Sequence, residues 1–340
     1  MTKTSHRVAA LAGAAVLAIG LGACAADDPG TADGAKELDS IRLTTMPAPS
    51  GFPVWLADKL GFYEENGLKV EEISYFPSGA PMLEAGLAGE WDAGYIGAPP
   101  AIVGGARWGM ITGGVEAEES GIHAIYQRSG AAASDLPGGT ALLATGSTGH
   151  QVLEECLAEN GTSLADMQAV SLEMPNIVST FERGEGDLAQ VWDPFLVRMD
   201  DQFDRLCSGE DLDVDIFVVY QLHPDFVKEN RDAAVRWLEA VYRANEMMSS
   251  DVEEVMPLIR EYLDEQGVEI DDASLELAIS GRDWKSLEEA AELNSSGATE
   301  AGLRATAEFL TSIGNLDEVP SFDFIDTALL DEALEYRASK

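Results

Sequence analysis

Short strand-like runs alternate with helical runs through much of this chain, and this alternation limits its fold more than any other feature. After each strand-like run comes a turn of Gly, Ser or Pro and then apolar residues at helical spacing. This order favours an α/β fold of parallel strands covered by helices. Strands are predicted at residues 41–44, 68–75, 91–96, 140–145 and 170–172, and helices at 54–60, 82–88, 149–160 and from Pro99 onward.

The turn and strand at residues 89–99 are echoed at residues 184–194. Gly, Glu, Asp and Pro fall in the same register in both segments. Turns of α/β proteins reuse these residue types, so two unrelated loops are the alternative. We interpret the echo as a sign of two related α/β lobes.

We expect the first lobe over residues 38–127 and the second over 128–214. The remaining segment, 215–340, is predicted to cross back to the first lobe through a strand at 215–220. It then continues as helices at 225–248, 252–265, 273–279, 299–313 and 327–337. Because these helices are amphipathic, we expect them to pack mainly on the first lobe with their charged faces in solvent.

The first residues of the chain predict export. Lys3 and Arg7 precede an apolar run that ends in small residues, as in a secretory signal peptide over residues 1–23. The segment LGAC at residues 21–24 resembles the lipobox of bacterial lipoproteins. This resemblance implies lipid on the sulfur and amine of Cys24 and an anchor on the outer side of the cell membrane. An ordinary signal peptide is the alternative, and residues 24–37 read as the lipidated Cys and a flexible tether.

The charge balance is strongly acidic. There are 61 Asp and Glu against 21 Lys and Arg, a formal net charge of −40 spread along the whole chain. Nucleic acid and anionic lipid surfaces are therefore excluded as partners, since both repel such a protein. Whether the acidity reflects a salt-adapted host is left open by the sequence.

Two cysteines, Cys156 and Cys207, remain besides Cys24. Both fall in the predicted second lobe, where they either form a disulfide or stay as two buried thiols. The four His residues are scattered and no Cys-x-x-Cys occurs, so we expect no metal and no cofactor.

Several runs resemble segments of the substrate-binding proteins of ABC importers for taurine, alkanesulfonates and nitrate. They are LGFYEENGLKV at residues 60–70, FPSGA at 76–80 and AGEWDA at 88–93. VWDPF at 191–195 is similar to a Trp–Glu/Ala–Pro element in the second lobe of that family. The family also includes binders of thiamine pyrimidine precursors. The resemblance implies a type II periplasmic-binding-protein clamshell, whose two lobes close on a ligand and then dock on a permease.

The family resemblance further implies a small organic anion or zwitterion as ligand, and an ABC permease and ATPase as partners. We expect a monomer that is not an enzyme, because relatives that act as pyrimidine synthases are cytosolic and need a His-rich site. No Gly-x-Ser-x-Gly, His-Glu-x-x-His or phosphate loop occurs. An enzyme or a sensor on the same fold, and a larger apolar or pyrimidine-type ligand, are the alternatives.

Turns at strand ends are predicted to bind the ligand, because the free N–H groups of a helix N-terminus suit an anion. The turn at 146–150 is the strongest candidate, since it offers two hydroxyls and a His and resembles the turn that holds the anionic head in taurine-type binders. Helix capping without ligand contact is the alternative for its hydroxyls, and a structural role for its His. The candidate ligand-binding residues in these turns are Ser50, Gly51, Ser78, Gly79, Ala98, Ser147, Thr148, Gly149 and His150.

Trp192 and Asp193 end a predicted strand of the second lobe and are expected to face the ligand. Trp192 would stack on it, with core packing as the alternative, and Asp193 would accept hydrogen bonds from an ammonium group. The chain departs from the family pattern at residues 97–100, where GAPP lacks the usual hydroxyl and Pro99 has no N–H. This departure disfavours sulfonate or nitrate and favours a larger, more apolar ligand.

Overall fold

Two β-sheets organise the chain in this computed structural model, which describes residues 38–132, 136–212 and 215–340. The strands are β1 (Asp39–Thr45), β2 (Leu68–Tyr75), β3 (Ala93–Gly97), β4 (Ile111–Glu118), β5 (His123–Gln127), β6 (Thr140–Leu143), β7 (Gln168–Ser171), β8 (Leu188–Trp192), β9 (Asp204–Ser208), β10 (Phe217–Leu222) and β11 (Asp283–Trp284). The helices are α1 (Phe52–Lys59), α2 (Phe62–Glu65), α3 (Gly79–Leu87), α4 (Ala98–Trp108), α5 (Thr148–Glu159), α6 (Met174–Glu182), α7 (Leu196–Asp200), α8 (Pro224–Glu229), α9 (Arg231–Ser250), α10 (Val252–Glu265), α11 (Asp272–Ser280), α12 (Leu287–Ser296), α13 (Ala298–Ser312) and α14 (Thr327–Ala338).

The two sheets share one strand order. The first sheet runs β2-β1-β3-β10-β4-β11 and the second runs β7-β6-β8-β5-β9. In each sheet three parallel strands are followed by an antiparallel one, β10 in the first and β5 in the second. The echoed segments contain β3 and β8, which occupy the same place in their sheets. The predicted two-lobed α/β clamshell is confirmed, with each sheet mixed.

The chain passes between the sheets at two neighbouring points. It leaves the first sheet after β4, enters the second through β5, and returns through β10. The Glu119 N–H donates to the Ile216 carbonyl at 2.9 Å, and the Ile216 N–H donates to the Glu118 carboxylate at 3.2 Å. The second sheet therefore begins at β5, a few residues before the boundary expected at 127/128.

The C-terminal helices pack mainly on the first lobe, as predicted. The long helix α9 buries Trp237, Leu238, Val241 and Tyr242 completely, and residues 233–242 are buried on every face of the helix, so α9 lies inside the packing of the first lobe. It contacts α1, α2 and α14, while α12 and α14 lie on β4. Two of these helices also reach the second lobe, because α11 contacts α7 and Thr306 of α13 donates to Gln151 of α5 at 2.9 Å.

Cys156 and Cys207 form a disulfide that joins α5 to β9, with their Cα atoms 6.1 Å apart. Cys156 is fully buried in an apolar cluster of the second lobe that includes Val152, Leu153 and Leu188. Of the two alternatives that the sequence leaves open, the structure has the paired one.

The signal peptide, Cys24 and the tether lie outside the described residues. Within residues 38–132, 136–212 and 215–340, no helix has the length and apolarity needed to cross a bilayer. In the same ranges no three His, Cys, Asp or Glu residues are grouped so that they could hold a metal ion.

Candidate functional site

A cavity of about 170 Å³ lies where the two sheets face each other. The segments that follow β1, β2, β3, β6, β7 and β8 all reach it, so it sits at the carboxyl ends of the parallel strands of both sheets, where α/β folds bind ligands. The crossing between β4 and β5 closes one side. The lining residues are Met46, Ala48, Ser50, Ser78, Gly79, Ala80, Tyr95, Gly97, Pro100, Glu119, Ile122, His123, Ala144, Thr145, Gly146, Ser147, Thr148, Ser171, Leu172, Glu173, Trp192 and Asp193.

The structure brings most of the sequence-predicted site residues together at this cavity. Those that line it are Ser50, Ser78, Gly79, Ser147, Thr148, Trp192 and Asp193. Those placed elsewhere are Gly51, Ala98, Gly149 and His150. Lining a cavity shows position only, so ligand contact stays a prediction for the first group.

Close packing explains two of the glycines placed elsewhere. A Cβ on Gly149 would collide with the side chain of Gln190, and a Cβ on Gly51 would collide with the Met46 carbonyl. Both positions need a residue without a side chain for the backbone to fit. Ala98 begins α4 and is buried, while its neighbour Gly97 reaches the cavity instead.

His150 packs away from the cavity, between α5 and α13. Its ring meets the Phe309 ring edge-on, with centroids 5.2 Å apart, and its Nδ1 accepts a hydrogen bond from the Gly146 N–H at 3.1 Å. Burial lowers the pKa of His150 to about 4, although Glu154 lies 3.8 Å from its Nε2. The structure therefore gives His150 a packing role, the alternative that the sequence leaves open.

We expect His150 to make the protein less stable as the pH falls from 6.5 towards 4. The imidazole binds a proton at about pH 6.5 in the unfolded chain but only near 4 in the folded one, so over this range the unfolded state takes up more protons. The contribution of neutral His150 to the free energy of unfolding is fully present above pH 6.5. It falls as the pH drops towards 4, by about 1.4 kcal/mol for each unit by which folding lowers the pKa. Urea unfolding of wild type and His150→Gln at a series of pH values measures the effect.

The His150→Gln curve is expected to be flatter than that of wild type between pH 6.5 and 4. His223→Gln is the matched control, because His223 caps α8 and lies far along the chain from α5. Equal pH slopes in wild type and His150→Gln would contradict the assignment.

The two hydroxyls of the 147–148 turn have different surroundings. Ser147 is the N-cap of α5: its Oγ accepts from the His150 N–H at 3.2 Å and donates to the Ala144 carbonyl at 2.7 Å. That hydroxyl is used within the protein. Within the described part of the chain, the Thr148 hydroxyl has a single long contact, 3.5 Å to the Nε2 of His123, so it is available to a ligand.

A buried ionic cluster lies behind one wall of the cavity, around Arg282. Its guanidinium binds Asp193 in a two-pronged geometry, with N–O distances of 2.9 and 2.8 Å. Its Nε donates to Glu119 at 3.0 Å, and its remaining donors reach Ser50 at 2.8 Å and the Ala278 carbonyl at 2.6 Å. Burial opposes the charge of Arg282, but Asp193 and Glu119 together raise its pKa, so it stays protonated.

Glu119 joins this cluster to His123. One carboxylate oxygen accepts from Arg282 and from the Ser50 hydroxyl, and the other lies 3.2 Å from the Nε2 of His123. Burial would raise the pKa of Glu119, but the charge of Arg282 and the contact with His123 lower it below its usual value. Glu119 is therefore ionised, and its hydrogen bond requires the proton of His123 to be on Nε2.

The charge of the cavity wall is negative. Among the residues that the structure describes, Glu119, Glu173 and Asp193 line the cavity, whereas no Lys or Arg does. Glu173 differs from the other two because its buried Oε2 has no hydrogen-bond partner among the residues that the structure describes. Glu173 therefore keeps a capacity to accept a hydrogen bond that the described residues do not use.

A model of the NMT1-like family matches residues 34–258, more than half of the chain. The chain belongs to the NMT1-like family. A Bacillus subtilis (strain 168) protein named as an aliphatic sulfonates-binding protein is 26% identical to this NMT1-like chain over 316 residues, which are 89% of this chain and 91% of that protein. The resemblance found in the sequence is therefore confirmed.

Solved structures show the same fold as this NMT1-like protein. The alkanesulfonate-binding protein SsuA from Xanthomonas axonopodis pv. citri, bound to MOPS, has a TM-score of 0.67 at 20% identity and is covered over 99% of its chain and 88% of this one. The nitrate-binding protein NrtA from Synechocystis PCC 6803 has a TM-score of 0.66 at 16% identity, with 89% of each chain covered.

Four residues that line or adjoin the cavity of this NMT1-like protein are not marked by the sequence patterns: Glu119, His123, Glu173 and Arg282. Glu119 and His123 lie at the crossing between β4 and β5, and neither strand was predicted. Arg282 comes from the segment after α11, 89 positions from Asp193. The available signal is the pair of short breaks at 119–121 and 281–283, which indicate loops but not the residues that these loops contact.

Proposed function

We propose that this protein is the extracytoplasmic solute-binding component of an ABC importer, which captures a small zwitterionic organic molecule between its lobes and delivers it to a permease and ATPase. The family and the relatives named for sulfonate and nitrate binding support the transport role. The cavity between the two sheets, with a chain crossing on one side of it, supports capture by closure of the lobes. No catalytic step is part of this proposal.

The charge of the cavity carries the proposal of a zwitterion. Two helices begin at the cavity wall, α3 after Ser78 and α5 after Ser147, and their first N–H groups suit an anionic group. α4 is a poorer anion site, since Pro99 and Pro100 have no N–H. The partnerless oxygen of Glu173 suits an ammonium or another donor. A ligand with both charges fits this combination.

A simple anion fits less well, because it would approach three carboxylates without meeting a free cation. The only guanidinium near the wall among the described residues belongs to Arg282, which the protein itself has neutralised. The sequence predicts Asp193 as the acceptor for an ammonium group, and here we propose a different carboxylate for that role. Arg282 already balances the charge of Asp193, whereas Glu173 has no ion pair with a described Lys, Arg or His, so we assign the ammonium to Glu173.

A matched ligand series tests the proposal by calorimetry and thermal shift on the purified protein. Taurine and MOPS carry both charges, ethanesulfonate carries only the anion, and ethylammonium carries only the cation. A ligand at 100 times its Kd stabilises a protein by about 2.7 kcal/mol, which gives a visible rise in Tm. We expect the zwitterions to bind more tightly than either single-charge analogue, with pyrimidines included to cover the larger alternative.

Two variants test whether residues that line the cavity determine these affinities. Glu173→Gln should lose the preference for taurine over ethanesulfonate, and Thr148→Val should weaken every ligand with a sulfonate. Glu185→Gln is the control, because that carboxylate is exposed on the same lobe. Equal affinity for taurine and ethanesulfonate, unchanged in Glu173→Gln, would show that the ligand is not selected by its positive charge.

We also propose that Cys24 is lipidated and anchors the protein outside the cell membrane, and that the protein acts as a monomer. Mass spectrometry of the membrane-extracted protein should find an N-terminal diacylglyceryl Cys24. An unmodified N-terminus elsewhere would overturn the anchor.

A further inference from the structure

The ion pair between Arg282 and Asp193 connects the two lobes. Arg282 directly precedes β11 of the first sheet, and Asp193 directly follows β8 of the second. Both side chains are buried, with exposed fractions of 0% and 2%. Asp193 is nevertheless one of the residues that line the cavity. The ion pair thus connects the two lobes beside the cavity in which we propose that a ligand binds.

The guanidinium of Arg282 has no donor left for a ligand. A guanidinium carries five N–H groups. One goes to Glu119, two go to Asp193, one goes to Ser50 and one goes to the Ala278 carbonyl. An anion that entered the cavity would therefore find this cation saturated, and would have to displace an existing acceptor.

We propose that Asp193 occupies the position that an anionic ligand would take on Arg282, and so determines the charge selectivity of the cavity by excluding simple anions. This inference rests on the proposed function as a solute-binding protein. Asp193 acts here as a specificity-determining residue whose carboxylate already forms the bridge between the lobes.

The chemistry of the pair supports this assignment. A planar carboxylate and a planar nitrate both fit the guanidinium fork, with two parallel hydrogen bonds. Because Asp193 is part of the chain, it competes with a free anion at an effective concentration of roughly millimolar or more. Removing its carboxylate would leave two N–H groups and a space of matching shape at the cavity wall.

Replacing Asp193 with Ala should therefore create an anion site. We expect the Tm of Asp193→Ala to rise by several degrees more in nitrate or formate than in chloride at equal ionic strength, where general screening is the same. Wild type should respond equally to all three salts. The double variant Asp193→Ala, Arg282→Met should lose the response, because the fork that holds the anion is gone.

Asp232→Ala is the matched control, since Asp232 also pairs with a buried arginine, Arg236, but is itself exposed to solvent. If Asp193→Ala does not fold in any of these salts, Asp193→Asn keeps the volume and removes one negative charge. In that variant ethanesulfonate should bind at least about tenfold more tightly than in wild type, because one repelling charge at the wall is lost.

Two results would overturn the proposal: a nitrate response of Asp193→Ala that persists in the double variant, or no gain of anion binding in either Asp193 variant. Neither result depends on which ligand the wild-type protein binds. A failure of the taurine series alone would thus count against the proposed ligand and leave this inference standing.

Discussion

Replacing Arg282 with Met is expected to lower the free energy of unfolding by about 3–5 kcal/mol, because it leaves two buried carboxylates without their cation. Glu119 and Asp193 are at most 4% exposed, so water cannot take over the role of the guanidinium. The hydrogen bond to the Ala278 carbonyl is lost as well. Urea unfolding followed by circular dichroism at pH 7 measures the change.

Two comparisons make that result specific. Arg183→Met removes an exposed arginine paired with Glu185, and should cost at most about 1 kcal/mol. The triple variant Arg282→Met, Glu119→Gln, Asp193→Asn removes the whole charged set and should recover part of the loss, since no uncompensated charge remains. A single Arg282→Met that is as stable as Arg183→Met would show that the buried cluster contributes nothing to stability.

Replacing both Cys156 and Cys207 with Ala is expected to cost about 4 kcal/mol. The disulfide closes a loop with a sequence separation of 51 residues, and loop-closure entropy of that length gives this magnitude. Because Cys156 lies in the core of the second lobe, its loss also removes apolar contacts. Unfolding midpoints with and without reductant measure the contribution of the bridge.

Reductant should bring the wild type towards the double variant and leave the double variant unchanged. The bridge lies on the third turn of α5, away from the cavity end of that helix, so ligand affinity should change much less than stability. A wild type that is indifferent to full reduction would contradict the expected stabilisation.

Much of the fold could be predicted because its signals are local. The prediction for β2 agrees with the structure over residues 68–75, and that for α10 over 252–265, since alternation and helical spacing are written in neighbouring residues. β4 is not predicted because its first half contains Thr112-Gly113-Gly114, without large apolar residues. These glycines leave room for Leu238 and Tyr242, a demand that only the packed helix α9 reveals.

The site could be predicted only where it follows strands. Strand ends and helix starts mark Ser78, Thr148 and Asp193, which line the cavity, while their contact with a ligand stays a prediction. That Asp193 would meet Arg282 could not be predicted, since the two lie 89 positions apart and no local pattern links them. The sequence also does not show which of the two hydroxyls caps α5. In the structure the Ser147 hydroxyl does so and the Thr148 hydroxyl does not.

The two neighbouring crossings have a consequence for how this fold can evolve and how it can be engineered. The second lobe enters and leaves the first at positions 119 and 216, whose backbones are hydrogen-bonded to each other at 2.9 Å. Relative to the first sheet, the second lobe is an insertion between residues 119 and 216, and the two ends of the insertion are joined by a backbone hydrogen bond. Because its two ends lie side by side, a change in the length of this lobe does not by itself shift the pairing of β4 with β10, but an exchanged lobe must keep a partner for Arg282 at the position of Asp193.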